Sequence, residues 1–132
     1  MHNYFDMPEQ TAEAIDADGW LHTGDLASMN DRGYCSIEGR LKDMIIRGGE
    51  NIYPKELEEL LFAHPSVGAV AVVGLPDEKW GETVAAFVRP RPGATINKNE
   101  LFAYMRENLA PHKTPKQWFE LDEFPLTGSG KI

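Results

Sequence analysis

The sequence predicts an α+β fold: a small central sheet of about three strands flanked by helices, with an N-terminal β-hairpin segment before it. Two patterns support this prediction. Segments with helical spacing of apolar residues alternate with short apolar segments typical of strands, and a turn sequence joins two extended segments near the N-terminus. The 132 residues are 42% hydrophobic, which is enough for a real but small core.

The N-terminal segment is predicted to contain a short helix-forming stretch and the hairpin. Thr11 to Ile15 can form a helical turn. Residues 20–29 and 34–38 are predicted to be strands. The turn Asn30-Asp31-Arg32-Gly33 lies between them, and Asn, Asp and Gly accept the left-handed dihedral angles that a hairpin needs.

The next elements are an extended segment and a helix. Met44-Ile45-Ile46 is apolar and partly β-branched, which favours an extended segment that Gly48-Gly49 interrupts. Pro54 suits the first turn of a helix, because the N–H that it lacks has no partner there. The spacing predicts a helix over 54–63, with four residues on one face: Leu57, Leu60, Leu61 and His64.

Three further strands and one helix complete the prediction. Val67 to Gly74, Thr83 to Arg89 and Gln117 to Leu121 are the expected strands. Asn97 with Glu100 forms a helix-start box, and five residues share one face of the helix that follows: Leu101, Tyr104, Met105, Asn108 and Leu109. The C-terminal residues 125–132 have turn chemistry and are expected to form a mobile loop.

Composition excludes several classes of protein. Acidic residues outnumber Lys and Arg by 21 to 13, and the formal net charge is −8. Nucleic acid is therefore not an expected partner, because a duplex-binding protein needs a basic face, whereas a small anionic ligand stays open. Cys35 is the only cysteine, which favours a cytoplasmic location. The longest apolar run, Val67 to Leu75, is about half a membrane span, so no transmembrane segment is expected.

The C-terminal segment places a cation at the end of a flexible stretch. Lys131 follows Gly128-Ser129-Gly130, and glycines would let the ammonium group reach an anion. A Walker-type phosphate loop is excluded, because Pro125 and Ile132 occupy positions that require Gly and Ser or Thr. A solvated lysine without function is the alternative.

Three other positions suit a nucleotide or another anionic ligand, each with a structural alternative. Asp25 could accept hydrogen bonds from two sugar hydroxyls, or could cap its own turn. Arg40 offers a planar set of donors for ribose or phosphate oxygens, or could form a surface ion pair with Glu38 or Asp43. Gly48-Gly49 could let a ligand approach the backbone closely, and turn geometry explains the pair equally well.

Together these motifs resemble those of the adenylate-forming enzymes: acyl-CoA synthetases, aryl-CoA ligases, peptide-synthetase adenylation domains and luciferases. The segments WLHTGDLA, GYCSIEGRLKDMIIRGGENIYPKELEELL and PLTGSGK occur in the family's order. The resemblance extends from about Tyr4 to Ile132, and GGENIYP is most similar to fatty acyl-CoA synthetases. It implies activation of a carboxylic acid by ATP with Mg²⁺ to an acyl-adenylate, followed by attack of the coenzyme A thiol.

The resemblance also implies a role for individual residues. Asp25 and Arg40 match the residues that contact the ribose of ATP. Lys131 matches the catalytic lysine of adenylation. Its positive charge would reduce the repulsion between the substrate carboxylate and the α-phosphate oxygens. Lys42 matches the hinge about which the small domain rotates. Gly49 matches the glycine that lines the pantetheine tunnel.

Four more positions match residues near the nucleotide of CoA: Trp80, His112, Lys113 and Lys116. An aromatic face for adenine and cations for phosphate are physically reasonable there. Thr114 occupies a place where relatives can carry a basic residue. Trp80 could equally be an aromatic residue at the edge of the core.

The resemblance implies that residues 1–41 end a large N-terminal domain and that residues 42–132 form the mobile C-terminal domain. The acyl pocket and phosphate loop would lie in that large domain, so this chain alone is expected to be inactive. Residues 1–41 would then be disordered or would associate with another copy. The expected parent is a medium- or long-chain fatty acyl-CoA synthetase. The alternatives are an aryl-CoA ligase, a carrier-protein adenylation domain, or a non-catalytic CoA- or nucleotide-binding module.

Overall fold

The computed structural model describes residues 1–132, which divide into two compact units, Met1–Lys42 and Asp43–Ile132. The predicted α+β class is confirmed, with three α-helices and seven strands. The division lies one residue after the boundary predicted from the sequence.

The first unit contains the expected hairpin. Strands β1 (Asp25–Met29) and β2 (Cys35–Arg40) pair in antiparallel orientation. The side-chain oxygen of Asn30 accepts hydrogen bonds from the backbone N–H groups of Arg32 and Tyr34, both at 3.0 Å, and so closes the turn. Helix α1 (Pro8–Ala14) precedes the hairpin. The hairpin is confirmed, although its first strand begins at residue 25 rather than 20.

The second unit is built on a five-stranded sheet, rather than one of about three strands. Strand β6 is central: it pairs antiparallel with β5, parallel with β7, and through Gly81 with β3, which itself pairs with β4. The sheet is larger than predicted because the segment around residue 46 forms a hairpin that joins it. The strands are β3 (Ile45–Arg47), β4 (Glu50–Ile52), β5 (Val67–Asp77), β6 (Gly81–Pro90) and β7 (Gln117–Glu120).

Two amphipathic helices complete this unit, α2 (Pro54–Phe62) and α3 (Lys98–Asn108). The Asn97 side chain accepts hydrogen bonds from the N–H groups of Asn99 and Glu100, which confirms the predicted helix start. Both helices contribute to one apolar core with the sheet. The core residues are Ile45, Ile52, Leu57, Leu61, Val67, Val72, Val84, Ala86, Val88, Ile96, Leu101 and Met105.

Two strand N–H groups donate hydrogen bonds to side-chain carboxylates rather than to the carbonyl oxygens of a neighbouring strand. Glu58 of α2 accepts a hydrogen bond from Val72 N–H at 2.9 Å, and Glu82 of β6 accepts one from Ile46 N–H at 2.7 Å. Burial raises the pKa of the Glu58 carboxyl above its usual value, and the Val72 hydrogen bond opposes that shift. These contacts satisfy donors on β5 and β3 that would otherwise lack a protein partner.

None of the helices is long and apolar enough to cross a membrane.

Shortening a core side chain should destabilise the second unit strongly. Leu101 is fully buried, whereas its neighbour Phe102 is 42% exposed. We expect Leu101→Ala to lower the free energy of unfolding by about 2–5 kcal/mol, because it leaves a cavity in the core. The matched change Phe102→Ala should cost about 1 kcal/mol or less. Denaturant unfolding followed by tryptophan fluorescence measures both values, and equal losses would contradict the packing described.

The raised pKa of Glu58 should make stability depend on pH. The folded state binds the Glu58 proton more tightly than the unfolded state, for which the usual value is 4.5. The free energy of unfolding should therefore fall as the pH rises from that value through the raised pKa. Glu58→Gln should remove this decline, and Glu107→Gln, an exposed change on α3, should retain it. Urea unfolding between about pH 4 and pH 8 measures the difference.

Candidate functional site

The first unit brings Asp25 and Arg40 together at the open end of its hairpin. They face each other in the strand register, and Arg40 Nε lies 2.9 Å from Asp25 Oδ1. Arg40 Nη1 also donates to the carbonyl oxygen of Thr23 at 3.3 Å, and the Thr23 hydroxyl accepts from Asp25 N–H. Arg40 therefore pairs with Asp25, and not with either acid considered from the sequence. The arrangement holds one carboxylate and one guanidinium in fixed relative positions.

Gly48 and Gly49 form the two-residue turn between β3 and β4. Both have positive φ values, +59° and +83°, and Arg47 pairs with Glu50 on either side of them. Two consecutive positive φ angles are typical of a type I′ hairpin, which glycine adopts without strain. Turn geometry is therefore sufficient to explain the glycine pair. No atom lies within 4 Å of the position that a Cβ at Gly49 would take, so its backbone is accessible.

Trp80 packs directly behind this turn. A Cβ at Gly48 would lie 2.9 Å from Cε3 of the indole, and Gly48 N–H donates to the Trp80 carbonyl oxygen. The Arg47 guanidinium and the Lys79 ammonium each lie 4.9 Å from the indole ring centre, within cation–π distance. Trp80 is 39% exposed, so it borders solvent rather than filling the core.

Sequence reasoning missed the two cations at Trp80. Arg47 is buried, and no carboxylate lies within 4 Å of its guanidinium. The missing signal was the pairing of β3 with β6, because Arg47 stands opposite Gly81, the residue after Trp80. Only that pairing reveals that Arg47 and Trp80 are neighbours.

His112 and Lys113 are both engaged by acids. His112 Nε2 lies 2.6 Å from Glu50 Oε2, and Lys113 Nζ donates to both oxygens of Glu56, at 2.8 and 3.1 Å. Because Glu50 directly follows Gly49, the loop that carries His112 borders the glycine turn. We call this side of the second unit, with Gly49, Trp80 and His112, the hairpin end.

Lys116 and Thr114 lie in the same loop as His112. The Lys116 side chain is exposed, and its backbone N–H donates to the carbonyl oxygen of Val84 at 3.0 Å. Thr114 is 2% exposed, and its hydroxyl has no hydrogen-bond partner. A basic side chain at position 114 would have to leave this buried position, so Thr114 has a packing role here.

Lys131 lies in a closed loop near the C-terminus. Thr127 N–H donates to the Lys131 carbonyl oxygen at 2.7 Å, and Lys131 N–H donates to the Thr127 hydroxyl at 3.2 Å. The next residue, Ile132, lines a shallow cavity of about 290 Å³ together with Ala69 and Val70 of β5. We call this side of the unit, marked by Lys131 and the first residues of β5, the lysine end.

The hairpin end and the lysine end lie at opposite ends of the sheet. The glycine turn is beside the start of β6, because Gly48 N–H donates to the Trp80 carbonyl oxygen and Arg47 pairs with Gly81. Gly81 in turn pairs with Asp77, where β5 finishes. Ile132, the residue after Lys131, lines the cavity with Val70, which pairs with Val88 near the finish of β6. Seven residues of extended strand separate these positions, a distance of about 23 Å.

Lys42 is exposed and lies in a 3₁₀ turn, Leu41–Asp43, where the two units divide. No group of three or more His, Cys, Asp or Glu side chains converges in a manner suited to a metal ion.

The sequence profile described as the AMP-binding enzyme C-terminal domain matches residues 56–131. The chain belongs to this family. The match spans α2 to the Lys131 loop, and it confirms the resemblance to adenylate-forming enzymes that the motifs indicate.

Members of known name and structure support the membership. The chain is 50% identical over its full length to a feruloyl-CoA synthase from Amycolatopsis, of which it covers 27%. It is 46% identical to the human mitochondrial medium-chain acyl-CoA ligase ACSF2, of which it covers 22%. Among solved structures, o-succinylbenzoate CoA synthetase (MenE) from Bacillus subtilis, in complex with the acyl-adenylate intermediate OSB-AMP, is 37% identical. Its TM-score is 0.93, and the match covers all of this chain and 27% of that one. The chain thus spans about a quarter of the length of these relatives.

The two glycines of the turn should respond differently to alanine. Both substitutions force a side chain into the left-handed region, at a cost of about 1–2 kcal/mol. Gly48→Ala should also displace the Trp80 indole, because its Cβ would lie 2.9 Å from the ring. We therefore expect a larger loss of unfolding free energy and a shifted Trp80 indole NMR signal for Gly48→Ala than for Gly49→Ala. Equal effects would contradict the contact between Gly48 and Trp80.

Proposed function

We propose that this chain is the C-terminal part of an AMP-forming carboxylate–CoA ligase, which makes an acyl-adenylate from ATP and then a CoA thioester. The family membership supports this proposal, as do two relatives whose names describe CoA-thioester-forming enzymes. The observation on which the proposal chiefly depends is the separation of Lys131 and Gly49 at opposite ends of one sheet.

This separation fits an enzyme with two half-reactions. Adenylation needs a cation near the reacting anions, and thioester formation needs a path for the CoA thiol. The strand positions beside the Gly49 turn and the Lys131 loop lie about 23 Å apart, so the two groups would not enter one reaction centre together. The second unit would therefore present its lysine end for adenylation and then rotate to present its hairpin end. Lys42, exposed at the division between the units, is the proposed hinge.

In the adenylation step, three residues of this chain have proposed roles. The Lys131 ammonium would stabilise the charge that develops as the substrate carboxylate attacks the α-phosphate of MgATP. Asp25 would accept hydrogen bonds from the ribose hydroxyls, and Arg40 would donate to the sugar oxygens. The ion pair between Asp25 and Arg40 orients both groups before the nucleotide binds.

In the thioester step, the hairpin end would receive CoA. The accessible backbone at Gly49 would border the pantetheine arm, and Trp80 would offer its exposed ring to the adenine. His112, Lys113 and Lys116 would contact phosphate groups. A CoA phosphate would compete with Glu50 for His112 and with Glu56 for Lys113.

The proposed ligase is larger than this chain. Residues 1–41 would be the last part of a large N-terminal domain, and residues 42–132 the mobile C-terminal domain. The acyl pocket would lie in that large domain, so the chain alone would have no activity and could self-associate through its exposed apolar residues. A cytoplasmic location stays a prediction.

The acid that is activated has two candidate classes. A medium- or long-chain fatty acid is the first, supported by the GGENIYP motif and by the medium-chain relative. An aryl acid is the second, supported by the 50% identity with a feruloyl-CoA synthase. Turnover of the full-length ligase with a panel of fatty and aryl acids distinguishes the two classes.

Substitutions at the lysine end and at the hairpin end should impair different half-reactions. In the full-length ligase, Lys131→Ala should lower the rate of acyl-adenylate formation by about 10²–10³-fold, because a preorganised cation is lost. Thioester formation from supplied acyl-adenylate should persist. Trp80→Ala is the matched change at the hairpin end: it should raise the KM for CoA and leave adenylation intact. Pyrophosphate release and acyl-CoA formation measure the two steps separately.

Two results would contradict the proposal. Equal loss of both half-reactions in Lys131→Ala would exclude separate roles for the two ends. Full acyl-CoA synthesis by the 132-residue chain alone would exclude a catalytic contribution from a larger domain.

A further inference from the structure

The loop that presents Lys131 is closed almost entirely by one residue. All three polar atoms of Thr127 bond within the loop: its N–H donates to the Lys131 carbonyl at 2.7 Å, and its carbonyl accepts from Gly130 N–H at 2.8 Å. Its hydroxyl accepts from Lys131 N–H at 3.2 Å and lies 2.9 Å from the Ser129 hydroxyl. Both backbone polar groups of Lys131 are thus bonded to Thr127.

These bonds give the loop a defined shape. Gly130 has a φ of +80°, which lets the chain turn back so that Lys131 stands opposite Thr127. The β-branched side chain of threonine restricts χ1, so the hydroxyl is held where it meets Lys131 N–H. The hydroxyl can donate to Ser129 while it accepts from Lys131, so a single rotamer satisfies both contacts.

We propose that Thr127 is a positioning residue for Lys131: its hydroxyl fixes the backbone from which the lysine side chain extends. This inference rests on the proposed adenylation role of Lys131. The glycine-rich sequence favours a mobile loop. Ordering a mobile loop costs conformational entropy, and this cost would have to be met in every catalytic cycle. Closure by Thr127 orders the loop in advance, so that the Lys131 ammonium is delivered from a fixed origin.

The first test uses the full-length ligase and the adenylation half-reaction. Thr127→Val keeps the shape of the side chain and removes the hydroxyl, so it should lower kcat of adenylation by about three- to tenfold, the effect of one lost hydrogen bond. Thr127→Ser restores the hydroxyl and should recover most of the rate. Thr95→Val, the same change at an exposed threonine outside the loop, should have no effect.

Two further readouts exclude a general structural role. Thioester formation from supplied acyl-adenylate should be unchanged in Thr127→Val, because that step uses the hairpin end. Thr127→Val should also cause no additional loss in a Lys131→Ala background, since a residue that acts only through Lys131 has nothing left to position. Additive losses, or loss of both half-reactions, would overturn the inference.

The second test uses the 132-residue chain and does not depend on activity. Hydrogen exchange at the Lys131 backbone amide should be several-fold faster in Thr127→Val than in the unsubstituted chain, and Thr127→Ser should restore the slower exchange. Unchanged exchange would overturn the inference by itself. If Lys131→Ala leaves adenylation intact in the ligase, the proposed function fails instead, whatever the exchange data show.

Discussion

The antiparallel pairing of β5 with β6 is the constraint on which the second unit depends. It places Val84, Ala86 and Val88 of β6 in the core, where α2 and α3 cover them. The other face of β6 carries Phe87, which stacks on Phe119 of β7. Strand β3 joins at the start of β6 and β7 joins further along it, so three strands of this sheet pair directly with β6. The functional loops take their positions from it.

Polar groups at the hairpin end divide into two kinds. His112 and Lys113 meet acids within hydrogen-bond distance, so their charges are compensated in the free chain. Arg47 and Thr114 are buried and have no acid beside them: the Arg47 guanidinium lies over the Trp80 ring, and the Thr114 hydroxyl has no hydrogen-bond partner. A buried hydroxyl without a hydrogen-bond partner reduces stability, so Thr114 indicates that this end is not shaped for stability alone.

Local chemistry was sufficient to predict much of the fold. Asn97 caps α3, and Asn30 closes the first hairpin as its turn sequence indicates, because the bonding groups lie within four residues of each other. Contacts between distant residues could not be predicted in this way. Arg40 pairs with Asp25 rather than Glu38, and Arg47 meets Trp80, because strand registers bring together residues far apart in sequence. The family motifs named most candidate positions, yet motifs do not reveal that Glu50 engages His112.

The length of β6 sets the spacing between the two ends of the sheet, and the alternation of side chains restricts how that length could change. Loss of one residue would move every later side chain of β6 to the opposite face of the sheet. Phe87 would then point into the core, and a core residue would take its place on the other face. Loss of two residues, with two from β5, would keep each side chain on its face and shorten the spacing by about 7 Å. Insertions obey the same rule. The regular part of the β5–β6 pair can therefore change length by two residues per strand, and a single extra residue needs a bulge such as the one between Val67 and Ala69. The loops at either end are free to vary in length.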